Sequence, residues 1–549
     1  MGLSDSLDGS NTFNGAMALL QNLIPDPTTT KLFQCRPAAI RLVNFSNTGG
    51  PFSSGFSTGF QTSFSSLPIG AISALKVIGN YAYGMVATNR NPGYDEPFVY
   101  NLLTGQFVTV TGITASNVPA TPAATGAWTP PTMALVGSQM VVTHPGFTGA
   151  AGAYFGILNI SNPALPVWSA TNMGGLVTFN VPPSAVYQFN SRAYFIVNTP
   201  SQPALIFSDT LNPVNCTNAN QVLTFGDTVF LTALGGLSLQ NQLGGIIQSL
   251  IVFKGVQNIY QVTGDAADTN LSVNSLNVVT GTLAPNTVVN TPKGLAFMSP
   301  DGLRQIDFYA TVSAPIGLDG AGVTVPFINA VVPSRMCAAC GGNVLRASVQ
   351  NGYVPGSPNQ EYWFDVSRNI WTGPHTLPFS LVQPYNNTFV GQPVSLPGTL
   401  WQSDVVQSST STFVENGAQM QWGVSTVLLP DTDKITNNAM TEASFDVAIS
   451  PSFPIVTVNA VDQNGLALNA VQVSQTGSVT VWGSFTWGSA TWGAVAAALS
   501  PRQLPWTNVI VFTRIVLQAG GSSAQGVKVG AFRLRYQILR QLVNIQAAA

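Results

Sequence analysis

Charge is what this chain has least of. Asp, Glu, Lys and Arg make up 7% of its 549 residues, where a soluble domain carries about a quarter. The 95 residues between Glu96 and Arg192 contain none. So sparse a charge excludes a strongly basic nucleic-acid binder, which needs Lys and Arg against phosphates, and a solvated acidic tail. No apolar run reaches the roughly 18 residues of a membrane-spanning helix, so no membrane insertion by this chain is expected. Two histidines, His144 and His375, each beside a proline, read as loop residues and leave little material for a Ser-His-Asp relay or an imidazole-bound metal. Four cysteines, Cys35, Cys216, Cys337 and Cys340, are too few for a disulfide scaffold. A zinc on Cys337-Ala-Ala-Cys340 would have to borrow Cys35 and Cys216 from remote positions, so structural thiols are expected. Residues 1 to 12 are polar and acidic, unlike a secretory leader, and folding in a reducing cytoplasm is the expectation.

What the chain does have is turn formers and apolar residues. With 52 Gly, 37 Pro and 45% hydrophobic residues spread throughout, turn-rich β structure fits best. Low charge favours association, which points to a surface covered by neighbours; a secreted β-protein rich in Ser, Thr and Asn is the plainer alternative. The net charge of −2 hides an asymmetry: residues 1 to 462 carry 13 basic and 21 acidic groups, and residues 463 to 549 carry six basic and no acidic ones. Those six are Arg502, Arg514, Lys528, Arg533, Arg535 and Arg540. Such a cluster is a candidate docking surface for an acidic partner or nucleic acid, or else a solvated face.

Along the chain, Phe13, Ala16, Met17, Leu20, Leu23 and Ile24 recur at helical spacing before Pro25, which predicts a short amphipathic helix. Residues 49 to 66 form a Gly, Ser and Phe-rich loop. From about 70 to 400, short apolar strands recur: Tyr81 to Ala87, Met140 to Thr143, Ala193 to Val197, Leu250 to Phe253, Leu295 to Met298 and Tyr362 to Val366. Their starts lie roughly 44 to 68 residues apart, the signature of propeller blades. Hairpins are expected at Lys254-Gly255 and at Pro300-Asp301-Gly302. Residues 401 to 549 are again β-like. Alternation sends Phe532, Leu534, Tyr536 and Ile538 to one face and Arg533 and Arg535 to the other. The expected fold is therefore mainly β with few short helices: an arm over 1–69, a propeller-like body of about six irregular blades over 70–400, and a sandwich-like C-terminal domain over 401–549. Two irregular β-sandwiches would also fit the uneven spacing.

Motifs for chemistry are scarce. Gly317 to Gly322 lacks the Lys-Ser/Thr of a phosphate-binding loop. Glu361 and Asp365 lie four apart on a predicted strand, about 13 Å along the backbone, beyond the roughly 5 to 9.5 Å of two-carboxylate glycoside hydrolysis. Asp431 and Asp433 fall in a turn. Trp482, Trp487 and Trp492, each followed by Gly, read as packing residues or as sugar-stacking rings.

Several stretches together resemble a known family. Leu205-Ile-Phe-Ser-Asp209 with Asn212-Pro213, Leu250-Ile-Val-Phe-Lys-Gly255, Ile259-Tyr-Gln-Val-Thr-Gly264, Arg36-Pro37 and Val529-Gly-Ala-Phe-Arg-Leu-Arg-Tyr536 resemble the tail nozzle proteins of short-tailed, podovirus-type bacteriophages. These are also called tail tubular protein B or stabilisation proteins. The resemblance implies a structural virion protein, made in the host cytoplasm and built into the short tail. It implies a homo-hexameric ring below the portal complex and the adaptor, or head-to-tail connector, near the tail fibres or spikes. Through that ring genomic double-stranded DNA leaves without sequence-specific contacts. No catalytic residue, metal or cofactor carries over. The basic residues 502 to 540 then become candidates for docking on an acidic tail neighbour, and Phe13, Met17, Leu20, Phe52, Phe56, Phe60 and Phe64 candidates for intersubunit contact. A receptor-binding or glycan-degrading tail protein is the alternative, and a cellular propeller lectin a third reading.

Overall fold

A sheet packed on both faces needs strands that are apolar throughout, and Ala193, Tyr194, Phe195, Ile196 and Val197 are all buried. The computed structural model describes residues 11–14, 17–26, 32–45, 72–87, 93–122, 129–240, 246–264, 271–316, 336–350, 359–403, 414–426, 429, 437–448, 455–474, 500–506, 509–522 and 527–538. Each of the six apolar runs is an inner strand of a separate antiparallel sheet. The first blade holds Ile72–Ile78, Tyr81–Ala87, Asp95–Asn101 and Gln106–Val108; the second Thr132–Val136, Gln139–Thr143, Phe155–Asn159 and Val167–Thr171; the third Ala185–Phe189, Arg192–Asn198, Pro203–Phe207 and Val222–Thr224. The fourth is Leu231–Gln240, Ile246–Lys254, Asn258–Thr263 and Ser272–Ser275, the fifth Val289–Thr291, Gly294–Ser299 and Gly302–Ile306. The sixth begins at Cys337–Gly341 and continues through Val344–Gln350, Asn359–Asp365 and Ile370–His375. Both expected hairpins form, with Gly255 and Gly302 at positive φ in their turns.

A seventh blade completes the set: Phe379–Tyr385, Thr388–Pro393 and Thr399–Ser403, finished on its outer edge by Ile40–Asn44 from the start of the chain. It escapes a repeat count because its last strand is contributed from far away in sequence. The first strand of each blade touches that of the next, and the seventh touches the first, so the blades surround an axis. Apolar clusters fill every seam. Phe45, Leu75 and Phe98 meet Leu381 and Leu400 where the seventh blade abuts the first, while Met85 and Tyr83 meet Met140 and Trp168 at the next seam. Gln392, fully buried, stitches the closing seam by accepting from the Ile72 N–H at 2.9 Å and donating to the Ile72 carbonyl at 3.2 Å.

The second body is a β-sandwich built from both chain ends. One sheet joins Leu23–Pro25, Phe33–Cys35, Lys528–Ile538, Asn438–Ala448 and Ser500–Gln503, with Asn11–Asn14 and Val511–Phe512 also paired into it. The facing strands Met17–Gln21, Gln421–Thr426, Ile515–Ser522, Ile455–Asp462 and Ala467–Ser474 extend the sixth blade into one nine-stranded sheet. Phe445 and Phe532 stack at 4.2 Å between ring centroids in the core between the two sheets.

The helix expected over Phe13 to Ile24 is instead three strands, Asn11–Asn14, Met17–Gln21 and Leu23–Pro25. Partners near residues 421–426 and 528–538 satisfy these backbone groups, so the local helical spacing is overridden. Asn22, at φ 54°, turns the chain from one sandwich sheet to the other, a left-handed conformation that Asn tolerates. Within the expected arm over 1–69, the described strands Asn11–Asn14, Met17–Gln21, Leu23–Pro25 and Phe33–Cys35 pair into the sandwich and Ile40–Asn44 into the propeller. Among the described residues the helical segments are two short 3-10 turns, Ala150–Gly152 and Pro285–Thr287.

Between the two bodies lies Arg36, 1% exposed. Its Nε donates to Asn22 Oδ1 at 3.1 Å, and its guanidinium also reaches the Pro37 carbonyl, the Thr376 carbonyl and hydroxyl, and Glu415 Oε2 at 3.0 Å. Arg36→Ala would strand the Glu415 carboxylate out of water, and loss of one partner of a buried pair costs about 3–5 kcal/mol. Urea unfolding should register a loss of that size, and a smaller one for Arg36→Ala combined with Glu415→Ala.

Candidate functional site

The residues that could carry chemistry are spent on holding blades together. His144, expected in a loop, is 1% exposed. Its Nδ1 accepts from the Gly146 N–H at 3.0 Å, so Nε2 carries the proton and donates to Asp95 Oδ2 at 3.0 Å. Ser73 Oγ lies 3.4 Å from the same Nε2. Serine, histidine and aspartate thus share one buried spot, but serine and carboxylate meet the same ring nitrogen, where a relay needs one on each. The set ties the first blade to the second.

His375 closes the Ile370–His375 strand, also buried, with Thr372 Oγ1 3.1 Å from its Nε2 and no hydrogen-bond partner for Nδ1 among the described residues. Burial, reinforced by the Arg36 and Arg346 guanidinium groups, holds its imidazole well below the ordinary range. Arg346 is buried against Glu361: its Nε donates to Glu361 Oε1 at 2.7 Å, and its guanidinium also donates to the Ser403 hydroxyl. The group lies 4.5 Å from the Trp363 ring and 4.7 Å from the Phe379 ring, a cation–π cage. Glu361 is therefore a structural partner of arginine, while Asp365 caps its own turn through Ser367.

Cys337 and Cys340, three apart on one strand, face opposite seams. Cys337 packs between the sixth and seventh blades and Cys340 between the fifth and sixth. Cys35 lies in the sandwich and Cys216 between the second and third blades. Burial raises all four thiols, Cys35 and Cys340 to about 11. Among the described residues no three His, Cys, Asp or Glu side chains gather as a metal site.

The basic C-terminal strand has the expected two faces, with Phe532, Leu534 and Tyr536 buried. Its cations, however, are already paired within the chain. Arg533 makes a bidentate bridge to Asp446 at 2.6 and 2.7 Å, Arg535 reaches Glu442 at 3.1 Å, and Lys528 reaches Asp26 at 2.6 Å. The strip is a ribbon of mixed charge rather than an open cationic face, because the neighbouring strand Asn438–Ala448 supplies Glu442 and Asp446 and Asp26 meets Lys528. Arg514 also has partners; Arg502 lies on the paired strand Ser500–Gln503, and Arg540 lies outside the described residues. Of the intersubunit candidates, Leu20 is 5% exposed in the sandwich core and so is not available to another subunit. Phe13 and Met17 lie on core-sheet strands. Phe52, Phe56, Phe60 and Phe64, together with Gly317 to Gly322, Asp431, Asp433, Trp482, Trp487 and Trp492, lie outside the described residues.

One surface was missed by sequence reasoning. Leu103, Leu165 and Leu211, 70%, 53% and 59% exposed, occupy the connections between third and fourth strands of the first three blades. In each blade that connection is bonded to the first hairpin turn, through Leu102 N–H to Asn80, Ile160 N–H to Ser138, and Leu211 N–H to Ser191 carbonyls. All three leucines therefore lie on the same propeller face. Their signal is an isolated Leu inside a polar turn, which periodicity does not register.

Two outcomes test this account. His375 is neutral in the fold and takes a proton once unfolded, so acidification below its ordinary value of 6.5 favours unfolding. Melting curves at pH 7.5 and 5.5 should converge for His375→Gln relative to the parent. Arg533→Glu should lower stability by about 1 kcal/mol through repulsion with Asp446, and pairing it with Asp446→Arg should restore most of the loss in chemical denaturation.

No protein-family model matches this chain, and no curated protein does. Among solved structures it is similar to a puromycin hydrolase, at 9% identity and TM-score 0.40, covering 68% of this chain and 61% of that one. It is similar to BBS1N in complex with ARL6DN, at 11% identity and TM-score 0.34, covering 68% and 98%. The Dos1 propeller matches at 11% identity and TM-score 0.35, covering 71% and 93%. The chain thus spans less than two thirds of the hydrolase it matches, and these likenesses concern fold alone.

Proposed function

We propose that this protein is a structural component of a short phage tail, a nozzle subunit that assembles as a homo-hexameric ring through which genomic DNA leaves. The observation that carries the reading is an uncharged stretch of the propeller with leucines exposed on one face. Between Glu96 and Arg192 the chain runs from the third strand of the first blade to the first strand of the third without Asp, Glu, Lys or Arg, and Leu103 and Leu165 are exposed there, with Leu211 beyond. A lone soluble subunit gains nothing from such a face, whereas a subunit covered by its neighbour buries it.

Geometry also favours a conduit between subunits over one through a subunit. The propeller axis encloses about 390 Å3, the size of a small-molecule pocket, which no duplex can thread. A closed ring uses heterologous contacts, one face of each subunit meeting a different face of the next, and a bore poor in Lys and Arg would let phosphates slide instead of gripping them. Because the basic strand is internally paired, docking on the adaptor would rest on shape and apolar area more than on a free cationic strip.

Electron microscopy and sedimentation of the purified protein, alone and with adaptor and portal rings, test the reading. Sixfold rings are expected from the parent chain. Leu103→Asp with Leu165→Asp should leave folded monomers, with unchanged circular dichroism, that fail to close. Trimers with glycan turnover, or a monomer that binds sugars, would overturn the nozzle reading in favour of a spike or a lectin.

A further inference from the structure

The axial cavity is lined by the innermost strand of all seven blades, yet it is not simply packed with apolar side chains. Its polar groups include Lys76, Thr132, Tyr187, Asn286, Asn290 and Gln383. Lys76 is the one charged side chain among the described residues of the wall, and no Asp or Glu accompanies it. Its neighbours Leu75 and Val77 pack into the seam with the seventh blade, and alternation turns Lys76, half-buried, to the other face of the strand. An ammonium in a cleft with no carboxylate in its described wall is costly, and a packed axis would use Leu or Met there.

A second group points the same way. Tyr187 lines the same cavity, and its phenolic O–H can donate; burial raises the phenol above its ordinary range and so keeps that proton in place. A lone ammonium, a phenolic donor and side-chain amides, with no carboxylate, form a set whose missing partner is an anion.

We propose that the propeller axis binds one small oxoanion, a carboxylate or inorganic phosphate, on the Lys76 ammonium, with Tyr187 as a second donor. The enclosed volume admits a free small anion and excludes the phosphates of a nucleic-acid duplex. This site does not depend on the nozzle reading, since it lies within one subunit.

Isothermal titration of the full chain at low ionic strength, with sodium phosphate and sodium acetate in separate runs and sodium chloride as control, tests it. One site per chain for either oxoanion is expected; phosphate alone would identify the inorganic ion and acetate alone a carboxylate. Lys76→Gln should weaken binding at least tenfold at unchanged circular dichroism. Gln383→Glu, which places a carboxylate on the neighbouring innermost strand, should weaken it as well. Should Lys76→Gln fail to fold, Tyr187→Phe keeps the ring packing and should still lower affinity several-fold. Absence of binding by both oxoanions, or unaltered affinity in these variants, would overturn the proposal.

Discussion

The architecture depends on one guanidinium. Arg36 sits where the chain leaves the sandwich and enters the propeller, and it binds Asn22, Thr376 and Glu415 at once. Asn22 belongs to the corner between the sandwich sheets, Thr376 to the passage between the last two blades, and Glu415 to a short hairpin after the seventh blade. A planar donor fork is suited to such a junction because each N–H has a fixed direction. Glu415 is fixed in turn by the Ala39 N–H at 3.2 Å, so the strand that closes the seventh blade starts from a defined point. A lysine could supply the charge but not the set of directions.

Charge is rare in this protein, and several of its ion pairs brace neighbouring elements. Arg346 with Glu361 in the sixth blade reaches Ser403 and the Phe379 N–H of the seventh, Asp95 with His144 ties the first two, and Arg533 with Asp446 joins the two longest strands of the sandwich. Buried pairs of this kind add little net stability against apolar replacements, but each one penalises a wrong seam strongly. In a ring of similar sheets, where apolar packing alone is forgiving, that penalty serves to specify which blade meets which.

Much of this was legible in the sequence. Six of the seven blades announce themselves through strands buried on both sides, and the hairpin at Lys254-Gly255 and the alternation of Phe532 to Tyr536 follow from period and turn chemistry. What was illegible came from distance. Met17 to Ile24 satisfies a helical period, yet Met17–Gln21 pairs with Gln421–Thr426, some four hundred residues on. The seventh blade lacks a local fourth strand for the same reason. Composition exposed the excess of cations after residue 462, but not that Asp446, Glu442 and Asp26 would lie opposite them. Scarcity of histidine pointed away from catalysis, while the burial of His144 and His375 depends on seams that no local window contains.

The closing of the seventh blade by Ile40–Asn44, and of the sandwich by Asn11–Cys35, has a temporal side. These segments are made long before their partners at Thr399–Ser403, Gln421–Thr426 and Lys528–Ile538. At about 5–20 residues per second, they wait roughly twenty seconds or longer with unpaired edges. The propeller can close once Thr399–Ser403 is made, whereas the sandwich waits for Lys528–Ile538. A chain interrupted between the two is marked by exposed strand edges on the sandwich side rather than passing as a folded part.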